Sequence, residues 1–126
     1  MHRDSSASHS PARNAIVFHL LAELESYGSQ VGQLASDWDR TRDLVLFGAV
    51  GRSMDRMRSL VGSLPDLSAP WVMTLISHTE LMHNLWRVTK GESLDVVREL
   101  ADHLACVEAM ACRCRHLLLQ GGAVLH

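Results

Sequence analysis

Residues Ser93 to Leu119 run without a single Gly or Pro. Within them Val97, Leu100, Leu104, Val107, Ala111, Cys114 and Leu118 recur at steps of three and four, the spacing of one face of an α-helix. A half-buried strand would need strict alternation, which is absent. A helix this long, roughly 40 Å at 1.5 Å per residue, draws most of its stability from laying its apolar stripe against other elements. The chain is thereby committed to helix-on-helix packing.

The rest of the sequence supplies the partners. Pro11 suits a first helical position, where its missing N–H is no loss. Ile16, Leu20, Leu24, Tyr27, Val31 and Leu34 then form a core face through about residue 35. Gly28 and Gly32 lie four apart on this helix. The expectation is a continuous helix crossing a neighbour closely there; the alternative is a break near Tyr27-Gly28-Ser29. Ser36 is the expected cap of a second helix over 37–64, with Phe47, Val50, Met54, Met57, Val61 and Leu64 in heptad spacing. Arg40, Arg42 and Asp43 crowd the face that should continue this stripe. Leu64-Pro65 ends it, because the residue before Pro avoids the α region. Ser68 is the expected cap of a third helix over 69–89, closed by Gly91 at C′. Ser93 is the expected cap of a fourth over 94–120, before Gly121-Gly122. Residues 1–10 and 122–126 read as tails. The expected fold is all-α: a single-domain, up-down antiparallel four-helix bundle over residues 11–121.

Composition bounds the function classes. With 126 residues and 47% apolar content the chain can build one core. The net charge of -2 speaks against a dedicated nucleic-acid binder. No apolar run reaches the roughly 18 residues of a membrane span, and the polar start does not read as a secretory signal. Three cysteines make no disulfide framework. A cytoplasmic protein with free thiols is expected, with no membrane partner. The third helix carries apolar residues on most of its circumference, so Trp71, Leu75, Met82, Leu85 and Trp86 are candidate interface residues. They point to a homo-oligomer or a helical protein partner.

Candidate chemistry centres on the fourth helix. His103, Cys106, Met110 and Cys114 stand at steps of three, four and four, on one flank. Thiolate and thioether suit copper, while thiolate with imidazole suits zinc. His78 or His83 from the third helix would have to complete such a site. The alternative is that Cys and Met serve there as adaptable core residues. Glu80 and His83 form one Glu-x-x-His pair, where a di-iron bundle needs two. A histidine phosphotransfer role fails because Lys90-Gly91 stands seven residues past His83. Arg52, Arg56 and Arg58 make a basic patch, but Asp55 sits among them, as on a solvated face. No nucleophilic triad or Gly-rich phosphate loop is present.

The stretch Glu99-Leu100-Ala101-Asp102-His103-Leu104-Ala105-Cys106-Val107 resembles the first helix and turn of the helix-turn-helix in small winged bacterial repressors. It departs at Ala105, where a Gly is usual, and at Val107, where a Ser or Thr cap is usual. The resemblance implies a DNA-binding regulator with a degenerate helix-turn-helix over 97–116. The leading expectation is a non-enzymatic interaction module without a cofactor, of adaptor, chaperone-like or regulatory type. The runner-up is a metal-binding or metal-sensing bundle.

Overall fold

The structure, a computed structural model, describes residues 11–124, with side chains through Gln120. The expected tail at 1–10 lies outside the described residues, as do the last two residues of the chain. The described chain is all-α, without a strand. Its elements are α1 (Pro11–Ser36), the single turn α2 (Trp38–Thr41), α3 (Leu44–Val61), a 3₁₀ turn (Pro65–Leu67), α4 (Ser68–Thr89) and α5 (Val96–Val124).

Helix α1 runs unbroken through Gly28 and Gly32. The reason expected for these glycines does not hold. A Cβ on Gly28 would stand 3.9 Å from Val107, an ordinary contact, and one on Gly32 would meet nothing.

The expected helix over 37–64 is two helices. Arg42 adopts a left-handed φ of 44° and ends α2. Asp43 then accepts a hydrogen bond from the Leu46 N–H at 3.0 Å and caps α3. The physical reason lies in the polar run Asp39 to Asp43, which has nothing to bury. The chain turns there instead of extending a polar stripe into the core. Arg40 pairs with Asp37, not with Asp39 or Asp43. The turn carries Trp38 inward, where it is buried and donates from Nε1 to the Leu85 carbonyl at 2.8 Å and to Thr89 Oγ1 at 3.0 Å.

The three serine caps are also displaced. Ser36 ends α1, Ser68 is already helical and has no capping bond ahead of it, and α5 is capped by Asp95, which accepts from the Arg98 N–H at 3.0 Å. A carboxylate is the better acceptor at the positive helix end. Helix α5 passes through Gly121-Gly122 to Val124. Gly91 does close α4 as expected, at φ 89°, with Gly91 N–H on the Val88 carbonyl and Glu92 N–H on the Arg87 carbonyl, a Schellman pair.

The core is one cluster. It joins Leu20, Leu24 and Tyr27 of α1, Val50, Met54 and Met57 of α3, Leu81 and Leu85 of α4, and Val107, Met110 and Cys114 of α5. Each fully buried side chain of this size stabilises by about 1.5–3 kcal/mol. Helix α1 packs on α3 and α5, and α4 packs on α5; α3 and α4 touch only lightly. On α5 the buried stripe is rotated from the expected one. His103, Met110 and Leu117 join Val107, Ala111 and Cys114 inside, while Val97 is 80% exposed.

Candidate functional site

Tyr27 occupies a core position on the apolar face of α1 and is fully buried. A buried phenol needs partners for its O–H. It finds two: His78 Nδ1 of α4 at 2.8 Å and His103 Nε2 of α5 at 2.5 Å. The other ring nitrogen of His103, Nδ1, stands 2.6 Å from Ser77 Oγ. Ser77 Oγ in turn reaches the Thr74 carbonyl at 3.1 Å. Three helices thus contribute to one continuous polar chain through the middle of the core.

The donor inventory fixes a consistent order of protons. Ser77 O–H donates to the Thr74 carbonyl. Its oxygen then accepts from His103 Nδ1–H. His103 Nε2 accepts from Tyr27 O–H, and the phenol oxygen accepts from His78 Nδ1–H. Every bond points the same way, so each polarises the next. The reversed order is also complete, but it would turn the Ser77 hydroxyl away from Thr74. In either order both imidazoles are neutral. Burial pushes His78 and His103 down to about 4, with Asp55 opposing at His78 and the His78 charge adding at His103. Burial also raises Tyr27 well above the usual phenol range.

Ser77, His103 and Tyr27 stand in the order of nucleophile, base and orienting group. Three features oppose acyl transfer. The Ser77 hydroxyl is committed to Thr74. The adjoining cavity, about 80 Å³, is walled by Glu80, Glu99 and Asp102 along with Ser77, Leu81 and His103. An oxyanion there would meet carboxylates where it needs donors, and Asn84 donates its amide to one of them, Glu99. A histidine this hard to protonate is also a weak base.

The metal candidates separate. His103 is at the centre of the chain, with both ring nitrogens engaged. His78 lies across Tyr27 from it, whereas His83 is exposed. Met110 is buried, 3.9 Å from Thr74 Oγ1. Cys106 is half-buried, and Cys114 is buried with its thiol pushed up to about 11 by burial. Among the described residues no three His, Cys, Asp or Glu side chains gather as a metal-holding group. The helix-turn-helix reading is corrected outright: residues 97–116 lie inside one uninterrupted helix.

Helix α4 has a second face. Trp71, Met82 and Leu85, expected at an interface, are buried in the chain's own core, and Leu75 is half-buried. Trp86 remains 38% exposed and packs edge-on against Trp38 and Phe47. The exposed apolar surface lies instead on Val72 (49%), Met73 (59%) and Ile76 (50%), on the side of α4 away from the core.

Tyr27, Ser77 and Trp38 escaped the sequence reading as functional candidates. One signal was available for Tyr27: a lone hydroxyl on a wholly apolar stripe must find a partner in the core. No family model matches the chain, and no curated protein or solved structure does so either.

Proposed function

We propose that this chain is a non-enzymatic, cytoplasmic interaction module whose outer α4 face pairs with a second copy of itself. The observation that carries this reading is the cluster Val72, Met73 and Ile76, each about half exposed or more, within two turns. Apart from the half-buried His78, which faces Tyr27, Glu80 and His83 are the ionisable residues nearest to it along the helix, so two copies meeting about a two-fold axis bring little charge together. The supporting scaffold is read as an up-down antiparallel four-helix bundle with α2 as an extra turn. Arg13 near the start of α1 meets Asp66 after α3, Glu23 meets Arg56, Phe47 meets Trp86, and Ser77 meets His103. Each of these pairs fits neighbouring helices running in opposite directions.

Magnitude decides the kind of association. Burying the exposed halves of six such side chains yields about 6 kcal/mol gross. Lost translational and rotational freedom costs about 4–15 kcal/mol. The pairing is therefore reversible and concentration-dependent. Light scattering and sedimentation across a concentration series test it. The wild type is expected to shift from monomer to dimer, and a Val72→Asp, Ile76→Asp variant with an unchanged helical spectrum is expected to stay monomeric. A wild type that is monomeric at every concentration refutes the reading.

A further inference from the structure

The polar chain through the core has a property that its apolar neighbours lack: a limited capacity for protons. We propose that His78, Tyr27, His103 and Ser77 form an acid-sensitive clasp that fastens α4 to α1 and α5, tolerates one added proton, and is broken by a second. The inference stands whatever the outer face of α4 binds.

The capacity follows from the bonds. In the neutral chain His78 Nδ1–H donates to Tyr27, which leaves His78 Nε2 as the one ring nitrogen without a role. His78 is half-buried, while His103 is 1% exposed. A first proton therefore goes to His78 Nε2, on the less buried of the two rings, and leaves all four bonds intact. A second proton must go to His103 Nε2, because Nδ1 already carries one. His103 then donates where it used to accept. The phenol oxygen faces two N–H donors, and the Tyr27 O–H loses its acceptor inside an apolar core. The two imidazolium rings would also stand with centroids 6.1 Å apart. Water supplies the missing acceptor and screens the charges only if α4 moves away.

The surroundings set which group responds. From α3, Asp55 acts on His78 and favours its proton. From α1, Glu23 lies one turn before Tyr27 and is already held by Ser53 and Arg56, while Glu25, two residues before Tyr27, is exposed. From α4 and α5, Glu80, Glu99 and Asp102 line the cavity beside Ser77 and His103. No arginine or lysine lines that cavity. The packing decides which element yields: α4 touches α3 only lightly, so losing the clasp leaves the α5 contact and the Trp38 bonds as its main attachments.

Nuclear magnetic resonance on the full chain tests this directly. Long-range nitrogen–proton correlation reads each imidazole's protonation, and amide exchange, corrected for its intrinsic pH dependence, reads each helix from pH 7.5 to 4. His103 is expected to be neutral and singly protonated on one nitrogen down to below pH 5, with His78 accepting its proton first. Protection of α4 amides is expected to fall at least tenfold in the acid limb while α1 and α3 keep theirs. A His78→Gln, His103→Gln variant should lose that selective acid limb. The proposal is overturned if His103 titrates near the unperturbed 6.5, if all helices lose protection together, or if the variant keeps the limb unchanged. Should the variant not fold, the wild-type titration and exchange alone decide.

Discussion

Helix α4 is attached at two places by opposite chemistry. Near its C-terminal end, Trp38 sits edge-on to Trp86 with centroids 5.1 Å apart, stacks near Phe47, and donates to the Leu85 carbonyl and Thr89 Oγ1. Nothing in that set titrates between pH 4 and 8. At its middle, the attachment runs through His78, Tyr27, His103 and Ser77, and two of the four can take a proton. Neither attachment leaves a buried side-chain polar atom without a partner. They differ in whether solution conditions can undo them. One end of α4 is pinned and its middle is conditional, which makes its C-terminal end the natural hinge.

The largest effect is expected at the pinned end. Trp38→Ala removes a fully enclosed indole and should destabilise by about 3–5 kcal/mol. Chemical denaturation should show the same loss at pH 7.5 and pH 5, because no protonation is coupled to it. A loss that shrinks with acid would erase the contrast between the two attachments.

Acid itself comes next. The unfolded state takes up protons at a histidine pKa of about 6.5, and the folded state only near 4. Between these values the unfolded state binds more protons, so stability falls as pH falls. The contribution is complete above pH 6.5 and is lost progressively down to about 4. For the enclosed His103 alone it amounts to about 3 kcal/mol. Urea midpoints measured from pH 7.5 to 4 should trace this slope; a flat profile through that window would contradict it.

Tyr27→Phe keeps the ring and deletes the bridge. It leaves His78 and His103 each short of a partner in the core and should cost about 1–3 kcal/mol at neutral pH. Unlike the Trp38 loss, this one should diminish toward pH 4, where the wild-type bridge is itself failing. A pH-independent cost would mean that Tyr27 acts through packing only. The smallest effect is expected away from α4. Asp43→Ala removes the cap on α3 and should cost about 1 kcal/mol, read as a drop in thermal midpoint without change in the acid slope.

The four long helices were legible in the sequence because apolar residues at steps of three and four leave few other options. Their caps were less so. Ser36, Ser68 and Ser93 have the right side chains, but a cap also needs the backbone to leave the helix at that residue, and Asp43 and Asp95 hold those positions. The break at Arg42 was foreshadowed by the charges that crowd the stripe there. His103 stood out in the sequence for its neighbours Cys106 and Cys114, yet its structural partners lie elsewhere. Tyr27 is 76 residues away and Ser77 is 26. Periodicity reports which side of a helix is buried; it carries no information about which polar group on another helix will face it. The same limit applies to α4, where an apolar circumference could not tell the enclosed Leu85 from the exposed Ile76.

The edge-on contact between Trp38 and Trp86 makes the molecule its own optical instrument. Two indoles with centroids 5.1 Å apart couple their electronic transitions, and the chirality of that pair appears in near-ultraviolet dichroism. Trp71, the third indole, is not part of an aromatic pair among the described residues. The coupled signal therefore reports on one joint, the C-terminal seat of α4. It persists if the helix swings about that seat and vanishes if the seat itself comes apart, so a spectrum taken without any label separates pivoting from detachment.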